Sequence, residues 1–283
     1  MGQVQLMEAP ADLAPRPDID DLVTEDDTPV DNWYSEKQQR LLTEPLYSTW
    51  DGPGGGRLFL VAANVGIFYQ IHTPAIVPDA FLSLDVQVAE EWRRKEHRSY
   101  FVWEFGKIPE VVIEVVSNTI GGEADDKLYK YAQMGIGYYV IHDPLRQLMP
   151  DILTIYQLHG QTYVRQTSTQ LPGLPLGLTL WEGLYEGKQD TWLRWTDTDG
   201  HLILTGKEGA AQAQHQAAQA QHQAEQERLA REQAQQQAAQ AQQQVEQERL
   251  AKEHAQEQLA QAQQHTERLA ALLRQLGHDP GQG

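Results

Sequence analysis

The chain has 283 residues, with 40 acidic and 22 basic side chains and a formal net charge of −18. It has no cysteine, which excludes disulfide bonds, thiol catalysis, iron–sulfur clusters and cysteine-ligated zinc. No apolar run approaches the ~18 residues of a membrane span, and the first residues lack the pattern of a secretory signal. We therefore expect a cytoplasmic protein of one or two domains with no membrane association.

The first segment, residues 1–32, is predicted to be a disordered acidic arm. The first 45 residues carry 11 acidic and 3 basic side chains, and like charges at this density do not pack into a core. A short helix is predicted to follow over Trp33–Leu46, with Trp33 on its apolar side and Pro45 limiting its end.

Residues 33–206 are predicted to form the folded domain, because short β-rich runs alternate there with one clear helix. Glu110–Val116 is nearly continuous in β-branched residues, as expected of a central strand that is buried on both faces. A helix over Glu123–Met134 and a strand over Gly137–His142 follow, so the two strands are predicted to run parallel. The other predicted strands are Arg57–Ala62, Val65–Ile71, Phe81–Val88, Tyr100–Phe105, Leu153–Leu158, Gln161–Arg165, Leu180–Trp181 and Trp192–Thr196. The first two of these flank Ala63-Asn64 and are interpreted as adjacent strands or as one bulged strand. The fold class is mixed α/β.

Residues 207–277 are predicted to form one long helix, followed by a short tail over 278–283. Of the last 77 residues 41 are Ala or Gln, and AEQERLARE recurs as VEQERLAKE after 21 residues, which is three heptads. Few heptad core positions hold leucine. The pattern therefore predicts a weak coiled coil and, through it, a homo-oligomer.

Three residues are the best candidates for chemistry in this sequence. Asp79 follows Pro78 at the lip of a predicted strand, Glu114 lies within the apolar run EVVIEVV, and Lys127 lies on the next helix. A carboxylate inside an apolar strand is costly unless something binds it. Two such carboxylates on neighbouring strands suit a hard cation such as Mg²⁺, and a nearby lysine suits the activation of water. On the alternative interpretation, Glu114 is a strand-end residue in solvent and Lys127 an ordinary charge on a helix face.

The stretches VPDAFLSLDV and IPEVVIEVVSNTIGGEADDKLYKYAQMGIGYYVIHDP resemble the Uma2 family of endonucleases, in the PD-(D/E)XK, restriction-endonuclease-like superfamily. Members show a Pro-Asp pair, a strand ending in Glu-Val-x-Ser, a helix with Asp-x-x-x-Lys-x-x-x-Tyr and a strand closed by Asp-Pro. The matching residues are Pro78-Asp79, Glu114-Val115-Val116-Ser117, Lys127 with Tyr131, and Asp143-Pro144. The resemblance covers about residues 33–206 and implies a restriction-endonuclease-like mixed β-sheet core flanked by helices.

The resemblance also implies an activity, which is the metal-dependent hydrolysis of DNA phosphodiester bonds. Asp79 and Glu114 would hold Mg²⁺ or Mn²⁺. Lys127 would assist the attacking water from the helix, since Val116 stands where the superfamily lysine usually lies. Because the chain is acidic, non-specific affinity for the DNA substrate should be weak.

Three departures from the family pattern support an alternative function. Glu123 stands where the helix usually carries Asp, Asn118 replaces a proline, and the N-terminal helix lacks a Tyr-Glu-Leu-x-x-Gly segment, for which Glu36 is a poor substitute. On this view the chain is a non-catalytic nuclease-fold protein that acts as a coiled-coil assembly or nucleic-acid-associated module. A third interpretation takes the coiled coil as the main function and the domain as its cap.

One basic cluster lies between the strands that carry the two carboxylates. It is the segment WRRKEHR, residues 92–98. It either grips phosphates beside the metal or is a solvated face that Glu90, Glu91 and Glu96 balance.

Overall fold

The structure of the protein is a computed structural model that describes residues 32–117 and 126–275. Residues 1–31 of the predicted acidic arm, Asn118, Glu123 and the last eight residues lie outside the described residues. The predictions made for them therefore stay predictions.

The chain divides into two compact units, the first ending at Ala211 and the second beginning at Gln212. The helices are α1 (Trp33–Thr49), α2 (Val102–Phe105), α3 (Asp126–Met134) and α4 (Gly206–Gln275). The strands are β1 (Phe59–Ala62), β2 (Ile67–Phe68), β3 (Ala80–Leu84), β4 (Tyr100–Phe101), β5 (Val111–Val115), β6 (Tyr138–His142), β7 (Leu153–His159), β8 (Thr162–Arg165), β9 (Gly177–Tyr185) and β10 (Lys188–Thr196).

A six-stranded mixed sheet forms the centre of the first unit, in the order β1-β3-β5-β6-β7-β8. β5 and β6 are parallel, as predicted, and the other neighbours in this sheet are antiparallel. Every residue of β3, β5 and β6 is buried, which explains the unbroken apolar sequence of β5. The predicted fold class, a mixed β-sheet core with flanking helices and a long C-terminal helix, is confirmed.

Each face of the sheet carries its own hydrophobic core. Leu46 of α1 and Trp195 of β10 pack on the face to which Ile113 points. Val112 points to the opposite face, where Tyr131 of α3 covers the sheet. Because side chains alternate along a strand, Glu114 lies on the same face as Val112 and beneath α3.

Helix α1 begins at Trp33, as predicted, but it ends later than predicted, and the environment of Trp33 differs from the prediction. It continues through Pro45 to Thr49, because burial of Leu46 in the core outweighs the backbone N–H that proline lacks. The Trp33 side chain is 84% exposed, so it does not lie on the apolar side of the helix as predicted. Trp33 is the first helical residue, directly after Asn32, whose side chain caps the helix by accepting backbone N–H groups.

Part of one predicted strand is helical. Only the first two residues of Tyr100–Phe105 are β, and the rest form α2, which ends at Gly106 with φ of 70°. β4 pairs with β2 in a separate two-stranded parallel sheet. The runs around Ala63-Asn64 therefore belong to different sheets, and their interpretation as adjacent strands or as one bulged strand is wrong. Asn64, at φ of 54°, redirects the chain between them.

A buried ion pair fixes the start of α4. The Arg194 guanidinium donates to both carboxylate oxygens of Glu208, at 2.9 and 2.6 Å, and lies 4.8 Å from the Trp181 ring. Thr205 and Glu208 form a capping box, since each accepts the backbone N–H of the other, at 3.2 and 2.9 Å. Burial opposes the charged form of Glu208, but Arg194 and Thr205 hold its pKa below the ordinary value.

Removal of this carboxylate should destabilise the first unit. We expect Glu208→Ala to lower the free energy of unfolding by roughly 2 kcal/mol, because it leaves the Arg194 charge buried. This is less than for a fully buried pair, since the Glu208 side chain is 36% exposed. Urea titration measures the loss. Glu227→Ala on the exposed part of α4 is the control and should change stability by less than about 0.5 kcal/mol. Equal effects of the two variants would contradict the prediction.

A buried histidine joins α1 to the end of β6. Tyr34 Oη lies 2.7 Å from His142 Nε2 and donates to the Thr191 carbonyl at 3.0 Å. Since a hydroxyl has one hydrogen, the imidazole Nε2 donates to Tyr34. His142 is fully buried, and burial lowers its pKa to about 4.

This histidine should make stability depend on pH. The unfolded chain binds a proton near pH 6.5 and the folded chain only near pH 4, so stability that is complete above pH 6.5 is lost as the pH falls towards 4. The glutamine of His142→Gln can still donate to Tyr34 but does not titrate. We expect this variant to lose up to about 3 kcal/mol less unfolding free energy than the wild type when the pH falls from 7 towards 4. Urea titrations of both proteins at pH 7, 5.5 and 4.5 measure it. Parallel pH profiles for the two proteins would refute the assignment.

Candidate functional site

Asp79 and Glu114 lie close to each other where β3 begins and β5 ends. Asp79 directly precedes β3, whose first residue Ala80 pairs with Ile113, the residue before Glu114. The Asp79 carboxylate accepts the backbone N–H of Val115, the residue after Glu114, at 2.7 Å. The exposed fraction is 8% for Asp79 and 1% for Glu114. The first unit therefore holds two neighbouring carboxylates almost entirely out of water.

Two donors from different elements hold the Asp79 carboxylate. Oδ2 accepts the Val115 backbone N–H at 2.7 Å, and Oδ1 accepts the Gln39 side-chain N–H at 2.7 Å. Asn64 in turn donates to Gln39 Oε1 at 2.9 Å, which fixes the orientation of that amide. Helix α1 thus reaches the site through an amide. Glu36 is directed elsewhere, to an ion pair with Arg40 at the surface.

Two donors from α3 hold the Glu114 carboxylate. Tyr131 Oη donates to Oε1 at 2.7 Å, and Lys127 Nζ donates to Oε2 at 2.8 Å. Lys127 and Tyr131 are four residues apart, so one face of α3 presents both. The interpretation of Glu114 as a solvent-exposed residue and of Lys127 as an ordinary helix-face charge is therefore wrong. Lys127 is 24% exposed and its ammonium group pairs with a buried partner.

Tyr131 is influenced electrostatically by both carboxylates. Burial and then the charge of Glu114 raise its pKa well above the ordinary value, and Asp79 contributes in the same direction. The phenol therefore keeps its proton and remains a hydrogen-bond donor. Asp79, Glu114, Lys127 and Tyr131 form one group of side chains.

This group has the chemistry of a site for a hard cation. Among the described residues, two carboxylates bring two negative charges into a region from which water is largely excluded, and Lys127 brings one positive charge. Excess buried charge is stabilised by a counter-charge close by. Divalent cations such as Mg²⁺ and Mn²⁺ prefer carboxylate oxygens, so the residues fit such an ion.

A second candidate metal site lies in the turn after β10. Ligand atoms of Asp197, Asp199 and His201 all fall within 4.8 Å of one another. Asp197 Oδ1 accepts the backbone N–H groups of Asp199 and His201, at 2.9 and 2.8 Å, and these bonds shape the turn. This group was not among the predicted site residues. Its signal is the spacing Asp197-Thr198-Asp199-Gly200-His201.

The basic cluster at residues 92–98 combines features of both interpretations. Arg94 forms ion pairs with Glu91 and Glu96, at 2.6 and 3.7 Å, as a balanced surface would. Arg93 and Arg98 instead line a cavity on the same face of the sheet as Glu114.

Residues 24–184 match the model of the Uma2 family, described as "Putative restriction endonuclease". The matched part is more than half of the chain and contains Asp79, Glu114 and Lys127. No curated protein matches the chain. Among the described residues, none of the helices combines the length and the apolar character needed to cross a membrane.

The ion pair between Glu114 and Lys127 should be essential for stability. We expect Lys127→Met, measured by urea titration in EDTA, to lower the free energy of unfolding by about 3 kcal/mol, because it leaves Glu114 buried without its cation. Lys130→Met, on the exposed face of the same helix, is the matched control and should have little effect. If the two variants are equally stable, the ion pair does not stabilise the first unit.

Proposed function

The chain belongs to the Uma2 family, and we propose that it is a metal-dependent endonuclease that hydrolyses DNA phosphodiester bonds. The observation that carries this proposal is the burial of Asp79 close to Glu114, with Lys127 on the second carboxylate. A family described by nuclease activity supports nucleic acid as the substrate. The identity of the ion, the roles of the three residues and DNA as the substrate are parts of this proposal.

Asp79 and Glu114 would hold Mg²⁺, or Mn²⁺ in its place. When bound, the ion would polarise the phosphate and lower the pKa of a water molecule. Lys127 Nζ has three donor hydrogens, so it can orient the attacking water while it offsets negative charge on the phosphate. Tyr131 and Gln39 are positioning residues, since each fixes one carboxylate through a hydrogen bond.

The net charge of −18 bears on how the DNA substrate would be held. Phosphate contacts need clustered cations, and such a cluster lies at residues 92–98, in the loop between β3 and β4. Arg93 and Arg98 are exposed there. We propose that they contact the DNA backbone and that affinity away from the site is weak.

A second candidate function has its own supporting observation. Each oxygen of Glu114 already accepts a hydrogen bond, one from Tyr131 and one from Lys127. A purely structural ion pair would account for this geometry in a non-catalytic nuclease-fold protein. That function predicts no binding of Mg²⁺ or Mn²⁺ at Asp79 and Glu114, which titration calorimetry measures directly.

Cleavage of plasmid DNA tests the proposed activity. We expect nicking that requires Mg²⁺, falls to background in Asp79→Asn and Glu114→Gln, and falls by roughly 100-fold or more in Lys127→Gln. A thermal unfolding profile of each variant separates lost chemistry from lost folding.

The second metal site provides the control for this experiment. Asp199 is exposed in its turn, so Asp199→Asn should leave nicking unchanged. If nicking survives in the double variant Asp79→Asn, Glu114→Gln but is lost in Asp199→Asn, the catalytic metal binds at the Asp197 turn and not at Asp79 and Glu114.

Association through α4 is also part of the proposal. Leucines among the described residues of the second unit stand exposed at 41–60%, although leucine favours burial; they are Leu229, Leu250, Leu259, Leu269, Leu272 and Leu273. A second copy of the helix would cover them as a weak coiled coil.

Solution mass tests this association. We expect sedimentation of the full chain to give a mass above that of one chain, and Leu250→Gln with Leu259→Gln to shift it towards the monomer. Both positions are exposed in the single chain, so the variants should remain helical by circular dichroism. A wild-type mass of one chain at high concentration would rule out the association.

A further inference from the structure

A cavity of about 460 Å³ opens on the same face of the sheet as Glu114, and the hydrolysis proposed above does not use it. Its floor is formed by apolar side chains of β1, β3 and the loop after β1, namely Leu60, Ala62, Val65 and Phe81. Its size lies within the range of ligand sites, roughly 300–1,000 Å³. Neither Asp79 nor Glu114 lines it.

The cavity lies near Asp79 along the chain. Phe81, which lines the cavity, is the second residue of β3, and Asp79 directly precedes that strand, so the two Cα atoms lie within about 7 Å of each other. Asn64, between the lining residues Ala62 and Val65, donates its backbone N–H to the Asp79 carbonyl at 3.3 Å. A ligand in the cavity would thus lie next to a phosphate held at the carboxylates.

The aromatic side chains of the cavity wall are held rigidly. Tyr100 and Phe105 are stacked at 4.3 Å, and Phe81 meets Tyr100 edge-on at 5.2 Å. The Tyr100 hydroxyl lies 2.9 Å from Ser83 Oγ and donates to the Lys107 carbonyl at 3.1 Å. A fixed aromatic wall favours a flat, aromatic ligand.

The mouth of the cavity differs from its floor. Trp92 stands there with 58% of its surface exposed, and the Arg93 guanidinium lies 5.5 Å from its ring. Arg98 Nε donates to the Arg93 carbonyl at 2.8 Å, which fixes the Arg98 side chain against the Arg93 backbone. Ser99 and His97 add polar groups to the wall. A ligand that is aromatic at one end and anionic at the other matches this arrangement.

We infer that the cavity takes one unstacked nucleobase of the substrate, while Arg93 and Arg98 contact the phosphate attached to it. This inference rests on the proposed function for the identity of the polymer and adds a base-binding site to it. Aromatic stacking with little hydrogen-bond selectivity accommodates any base. The DNA bound at the carboxylates would therefore be locally unstacked, as an extruded or single-stranded nucleotide is.

Binding of a mononucleotide to the full chain, without metal and in EDTA, tests the inference. 2′-Deoxyadenosine 5′-monophosphate should bind saturably by titration calorimetry, and deoxyribose 5-phosphate should bind at least roughly tenfold more weakly, because it lacks the base. Trp92→Ala should weaken nucleotide binding by a similar factor. Because Trp92 is mostly exposed, this variant should fold normally.

Two further variants make the test specific. Ala62→Phe should fill the floor of the cavity and weaken nucleotide binding, with its folding checked by thermal unfolding. Arg94→Ala removes a neighbouring cation that does not line the cavity, so it should bind the nucleotide as the wild type does. Equal binding of nucleotide and sugar phosphate, no saturable binding, or no effect of Trp92→Ala would overturn the inference.

The carboxylate variants separate this inference from the proposed activity. Asp79→Asn should still bind the mononucleotide, since Asp79 does not line the cavity. A protein that nicks DNA but does not bind the nucleotide would reject the base site alone. A protein that binds the nucleotide but does not nick DNA would reject the proposed hydrolysis alone.

Discussion

Burial of two neighbouring carboxylates is the constraint on which the first unit depends. An ionised group removed from water must be met by donors and counter-charges, or it destabilises the fold. Among the described residues, four donors meet Asp79 and Glu114, and they come from α1, β5 and α3. Helix α1 must place Gln39 over the start of β3, and α3 must present Lys127 and Tyr131 to β5. The electrostatics of the site therefore act together with hydrophobic packing to position both helices on the sheet.

The features of the site that could be predicted are those that depend on residues close together in the sequence. A carboxylate at position 114 inside an unbroken apolar strand has no explanation without a partner, and the four-residue spacing of Lys127 and Tyr131 identifies one helix face. The strand–helix–strand order of β5, α3 and β6 is equally local. For these residues, the local sequence pattern is enough to predict which element carries them and why they are buried there.

Other features could not be predicted, because their cause lies far away in the chain. Gln39 is one of several polar residues on an amphipathic helix, and nothing near it in sequence indicates a partner 40 residues later. The helical conformation of α2 depends on Gly106 and on packing, although Tyr100–Phe105 has a β-rich composition. The turn at Asp197 is shaped by hydrogen bonds to backbone groups, which residue types alone do not reveal.

Charge is distributed in a way that its total conceals. The acidic excess is −8 over the first 45 residues, −7 over residues 46–206 and −3 over the rest. Against this background, two arginines and a tryptophan stand at the mouth of an apolar cavity. Local field and local shape therefore matter more than net charge in deciding what approaches this face of the sheet.

The attachment of α1 to β10 has a consequence for biosynthesis. Gln38 exchanges two hydrogen bonds with the Leu193 backbone, at 2.8 and 2.9 Å, and the Trp195 indole donates to the Leu42 carbonyl at 2.8 Å. These contacts span more than 150 residues, and such long loops close late in folding. On the ribosome, α1 acquires this support only after β10 has emerged. Because Gln39 lies on the same helix, its placement at Asp79 depends on this support. The site is therefore completed only near the end of synthesis of the first unit.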